Sequence, residues 1–132
     1  MGGCGTQTAA LAFGGEPSKN ETESYNGTTF TEVNNMNNAR EGMASAGTQT
    51  SALASSGSNT AYTESWNGST WTETADMNTA RGYVGGAGAD NTSAITFGGY
   101  VPPASPIVSV LTETWNGSAW TEVNDLTQKE EK

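Results

Sequence analysis

The chain has 132 residues, with five Lys and Arg against fourteen Asp and Glu, no His and one Cys; its formal net charge is −9 and 33% of its residues are hydrophobic. That length supports one domain with a modest core, and the negative charge repels nucleic acid and anionic membrane surfaces. A single cysteine excludes an intrachain disulfide, and the lack of His excludes Ser-His-Asp and Cys-His nucleophiles and the usual zinc sites.

The first segment, "MGGCGTQTAALAFGG" (1–15), has no basic n-region and does not read as a signal peptide. It reads as two short strands of small and apolar residues, the second ending at Gly14-Gly15. "TESYNGTTFTEV" (22–33) follows as a hairpin around Asn26-Gly27, and "NNMNNAREG" (34–42) leads onward. The same order then recurs. "MASAG" (43–47), "TSALAS" (50–55), "AYTESW" (61–66), "TWTETA" (70–75) and "ADMNTARGY" (75–83) make a second unit. "VGGAG" (84–88), "AITF" (94–97), "TETWNGSAWTEV" (112–123) and "NDLTQKEEK" (124–132) make a third. Tyr25 and Trp66 lie 41 positions apart, and Trp66 and Trp115 lie 49 apart because "YVPPASPIVSV" (100–110) enlarges one loop. The units are 1–42, 43–83 and 84–132, each of four short strands, with no sustained helical periodicity anywhere. No apolar run is long enough to span a bilayer.

A two-residue turn at Asn67-Gly68 predicts that Trp66 pairs with Ser69 and Glu64 with Trp71. The strand period of two then puts Trp66, Glu64 and Trp71 on one face and Thr63, Ser65, Thr70 and Thr72 on the other. Each hairpin has an aromatic face and a hydroxyl-rich face, a pattern suited to sheets stacked side by side.

Gly14-Gly15 and Gly98-Gly99 end the second strands; Tyr25, Trp66 and Trp115 end the third; Phe30, Trp71 and Trp120 begin the fourth. Met36, Met77 and Leu126 follow, then Arg40 and Arg81. This constellation resembles the kelch repeat. It departs from it at Ser55-Ser56-Gly57, where the other units have Phe-Gly-Gly, and at Glu130, which stands at the Arg position of unit three. The resemblance implies an all-β fold, a β-propeller with three four-stranded antiparallel blades per chain. Kelch rings commonly have six or seven blades, and three would leave two open faces. A homodimer completing one six-bladed ring is therefore expected, with blade three of one copy on blade one of the other. A segment of a longer propeller and a non-closing stack are the alternatives. The Asn/Gly/Thr style of the copies is similar to kelch-like proteins of environmental phages and bacteria. The sequence leaves the compartment unassigned, with a virion or cell surface as one setting for such a module.

Repetition at one structural position assigns Tyr25, Phe30, Trp66, Trp71, Trp115 and Trp120 to packing between blades, rather than to stacking on sugars. Arg40 and Arg81 are expected to stack on an aromatic ring or bond carbonyls between blades, rather than bind an anion. Cys4, at the position of Ala46 and Ala87, reads as a small buried residue. Glu64 with Glu73, Glu23 with Glu32 and Glu113 with Glu122 share hairpin faces as glycosidase carboxylates would. They recur in every unit, whereas a catalytic pair is needed once, so they are read as solvated edges or partners of hydroxyls. Asp90-Asn91 lacks a calcium-loop pattern. Turns at Thr6-Gln7, Thr48-Gln49 and Asp90-Asn91 offer polar groups to a small ligand. The unrepeated loop makes Tyr100, Val101, Pro102, Pro103, Pro106 and Ile107 the candidate contact for a ligand or partner, against the alternative that it fills space locally. The expected function is a non-enzymatic structural or recognition module without cofactor or metal, whose partners are its own second copy and a protein or glycan. A glycan-binding lectin is the alternative, and a hydrolase using Glu and Asp ranks third.

Overall fold

The computed structural model describes residues 1–101 and 108–127. These form twelve strands in three four-stranded sheets, each a continuous antiparallel meander. Sheet one contains β1 (Gly2–Thr6), β2 (Ala9–Phe13), β3 (Thr22–Tyr25) and β4 (Phe30–Val33). Sheet two contains β5 (Ala44–Thr48), β6 (Ser51–Ser55), β7 (Thr63–Trp66) and β8 (Trp71–Glu73). Sheet three contains β9 (Gly85–Asp90), β10 (Ser93–Phe97), β11 (Thr112–Trp115) and β12 (Trp120–Val123).

The sheets touch most closely through their first strands, β1 against β5 and β5 against β9. Small residues make this approach possible. A Cβ on Gly86 would lie 2.7 Å from that of Ala44, and one on Gly88 would lie 2.8 Å from that of Ala46. Ser45 fastens β5 to β1: its hydroxyl donates to the Gly3 carbonyl at 2.9 Å and accepts from the Gly3 amide at 3.2 Å.

Two apolar clusters fill the spaces between sheets. Leu11 and Phe13 of sheet one meet Ala52, Ala54, Trp66 and Trp71 of sheet two, with Met36 and Met43 from the connections. Leu53 of sheet two meets Ala94, Trp115 and Trp120 of sheet three, with Met77 beneath. Each fully buried large side chain of this kind stabilises the fold by about 1.5–3 kcal/mol. Among the described residues, the middle sheet is covered on both faces and the outer sheets on one.

The hairpins differ from the sequence expectation. Trp66 pairs with Trp71, Ser65 with Thr72 and Glu64 with Glu73, so the loop has four residues rather than two. The Asn67 side chain caps the longer loop, its Oδ1 accepting the amides of Ser69 at 2.8 Å and Thr70 at 2.9 Å. Asn26 and Asn116 do the same. Only the glycine of each loop takes a positive φ, +100° at Gly68. A slip of two positions leaves the faces unchanged, and Trp66, Trp71 and Glu64 still share one.

Within the enlarged loop, Tyr100 pairs with Gly82 on one side and Val108 on the other. Val101 is half-buried, and Pro102, Pro103, Pro106 and Ile107 lie outside the described residues.

Candidate functional site

The most elaborate polar chemistry lies where one sheet's exit segment crosses the next sheet. After β4 the chain runs along sheet two and inserts Arg40, which is fully buried. Its Nη1 donates to the carbonyls of Ser56 at 2.7 Å and Tyr62 at 2.8 Å, and its Nη2 to Glu64 at 3.2 Å. Glu64 is equally buried and also accepts the amides of Asn37 at 2.7 Å and Asn38 at 3.0 Å. The Asn37 side chain bonds both Glu64 and the Trp71 carbonyl.

The second joint repeats the first. Arg81 Nη1 donates to the carbonyls of Gly98 at 3.1 Å and Leu111 at 2.7 Å, and its Nη2 donates to Glu113 at 3.1 Å. Glu113 accepts the amides of Asn78 at 2.8 Å and Thr79 at 3.2 Å. Burial pulls both guanidinium pKa values below the ordinary range, and the facing carboxylates pull them back. Each Nε–H is buried without a partner among the described residues.

The arginines thus bond carbonyls of the following sheet, and ion-pair as well. Glu64 and Glu113 differ from the expectation of solvated edges: they are the anionic half of a buried joint. The aromatic residues divide by sheet. Trp66, Trp71, Trp115 and Trp120 are 2–6% exposed. The Trp71 and Trp120 indoles donate across the joints to the hydroxyls of Thr22 at 3.0 Å and Thr63 at 2.9 Å. Phe30, at the corresponding place in sheet one, is 58% exposed, and Tyr25 is half-buried.

Sheet one retains the backbone of the joint without its arginine. Gly14 N–H donates to Glu21 O at 3.0 Å, as Ser56 does to Tyr62 at 2.8 Å and Gly98 to Leu111 at 3.0 Å. Glu23 stands where Glu64 and Glu113 stand, is exposed, and forms no ion pair among the described residues. Gly14, Glu21 and Glu23 line a cavity of about 300 Å³ with Met1, Phe13 and Lys19. At the other end, Ile95 and Thr114 of sheet three border an open groove of about 380 Å³ with Ala87 and Ser93.

Other sequence candidates are engaged locally. Gln49 reaches back to sheet one, donating to the Tyr25 carbonyl at 2.6 Å, and Asn91 donates to the Trp66 carbonyl at 3.1 Å. The Asp90 carboxyl is held below its usual range by the Thr92 hydroxyl and amide. Cys4 is half-buried on β1, and burial raises its thiol pKa to about 11. Tyr83 and Tyr100, both exposed, stack edge to face at 6.3 Å, and the Tyr83 hydroxyl donates to Glu41 at 3.2 Å. Among the described residues, no three of His, Cys, Asp or Glu gather as a metal site, and no helix is long and apolar enough to cross a membrane.

No protein-family model matches the chain, and no curated protein matches it. Among solved structures it is similar to a fungal alcohol oxidase of the AA5 family in complex with copper, with a TM-score of 0.57 and 16% identity. The match covers 86% of this chain and 27% of that one. At this identity the likeness is one of fold, an all-β arrangement of contacting four-stranded sheets.

Proposed function

We propose that the chain is a non-enzymatic β-propeller segment of the kelch type, used as a structural or recognition module and assembled through its two open faces. One observation carries this reading: Phe30 is 58% exposed where Trp71 and Trp120 are 6% exposed. Sheet one exposes the aromatic position that sheets two and three bury, and surfaces of this kind are normally covered. Two copies, with sheet three of each against sheet one of the other, give six blades and a closed ring. Light scattering should return about twice the 13.6 kDa chain mass, and Phe30→Glu should return the single-chain mass. A wild-type protein that stays at single-chain mass at all concentrations contradicts the closed pair.

The copper in the oxidase belongs to that protein. The residues here do not fit such a centre: the chain has no imidazole, and its one cysteine is held as the thiol.

A second reading, glycan binding, is favoured by the exposed Tyr83–Tyr100 pair beside Glu41, an aromatic surface next to a hydrogen-bond acceptor. It does not use the four indoles, which are buried. A glycan array on wild type and Tyr83→Ala tests it: binding lost with the tyrosine supports a lectin, and no binding by wild type removes it.

A further inference from the structure

We propose that the cavity on sheet one is a socket for an arginine side chain, carried by the exit segment of a partner polypeptide whose Arg lies four residues after its Met. The argument is internal to the molecule. Two sockets of the same build, Ser56 O, Tyr62 O and Glu64 in one and Gly98 O, Leu111 O and Glu113 in the other, each hold a guanidinium. The third has the corresponding Gly14 and Glu21 carbonyls, the same amide-to-carbonyl bond closing it, and Glu23 as the carboxylate. A planar fork of donors suits two carbonyls and a carboxylate better than the point charge of a lysine. The neighbouring Lys19 also lines the cavity, is exposed, and forms no ion pair among the described residues.

This chain's own third unit does not supply the occupant. Four residues after Met36 and Met77 come Arg40 and Arg81; four after Leu126 comes Glu130. By sequence register, identical chains therefore offer Glu23 a carboxylate and no guanidinium, whereas a polypeptide that keeps the arginine register completes the joint. The inference rests on the reading that sheet one meets another sheet, and goes beyond it by naming what that sheet carries.

Glu130→Arg turns a second copy into such a partner. Sedimentation should show self-association of Glu130→Arg tightened by about tenfold or more over wild type. Adding Glu23→Gln should reverse the gain. General relief of charge repulsion predicts the opposite, since each change removes negative charge. Glu131→Arg, with the same charge change one position away, should gain nothing. Lys19→Ala should leave the gain intact; a gain that appears only in the Lys19→Ala background means that Lys19 fills the socket and overturns the proposal.

The peptide of residues 75–83, which occupies the corresponding place on sheet three, separates this inference from ring closure. It should bind wild type and lose about tenfold or more in affinity for Glu23→Gln, and an Arg81→Ala peptide should not bind. If wild type and Glu130→Arg both stay monomeric while the peptide binds in this way, ring closure fails and the socket stands. Equal behaviour of Glu23→Gln and wild type in both assays, or no tightening together with no peptide binding, overturns the socket.

Discussion

At the scale of single residues, the decisive feature is a pair of opposite charges that are both buried. Removing one partner strands the other, which costs about 3–5 kcal/mol in such sites. Glu64→Gln and Glu113→Gln should each destabilise by that order in urea titrations, while Glu23→Gln, exposed and without an ion pair among the described residues, should change stability by less than about 0.5 kcal/mol. The Arg half of each joint is legible in the sequence as a repeated Met followed by Arg. The Glu half is not, because the partners are 24 residues apart in one joint and 32 in the other, and an acidic residue beside hydroxyls reads as solvated. Cys4 permits a pH prediction. Burial raises its pKa from 9.0 to about 11, so the neutral thiol is favoured in the folded state. The associated stability is fully present below about 9 and is lost as pH rises through 11. At pH 8 only about one thiol in a thousand is thiolate, so alkylation of the native protein should be far slower than of the urea-unfolded chain.

At the scale of elements, the hairpins show what a local signal can and cannot specify. Asn-Gly announces a turn, and the turn is there in all three sheets. The same dipeptide serves a two-residue loop and a four-residue loop whose Asn caps two amides, and pairing across the strands selects the second. With four residues the rings meet, Trp66 and Trp71 at 5.3 Å and Trp115 and Trp120 at 5.2 Å between centroids. The faces were legible because a slip of two preserves parity; the loop length was not, because it is settled by that pairing. Gly68→Ala should cost about 1–2 kcal/mol in thermal or chemical denaturation. The cause is its φ of +100°, since the added methyl would have only ordinary contacts, 3.5 Å to the nearest atom. Asn67→Ala should cost about 1 kcal/mol by releasing the two amides.

At the scale of the whole molecule, stability is unevenly distributed. Ala52, Leu53 and Ala54 on β6 are 0–2% exposed, with an apolar cluster on each side, whereas β4 and β12 are exposed edges. Native-state hydrogen exchange should find β6 and β7 slowest and β4 and β12 fastest. Uniform protection across the three sheets of a dilute single chain would contradict this order. The division into three sheets was legible because the repeat is near-identical. The joint also has a direction: the arginine always comes from the earlier unit and the carboxylate from the later one. A stretch of coding sequence bounded by half a joint on each side can be copied in tandem without inventing a new interface. The tally of sheets in such a lineage is then free to drift by unequal crossing-over, with only the geometry of closure to select among the lengths produced.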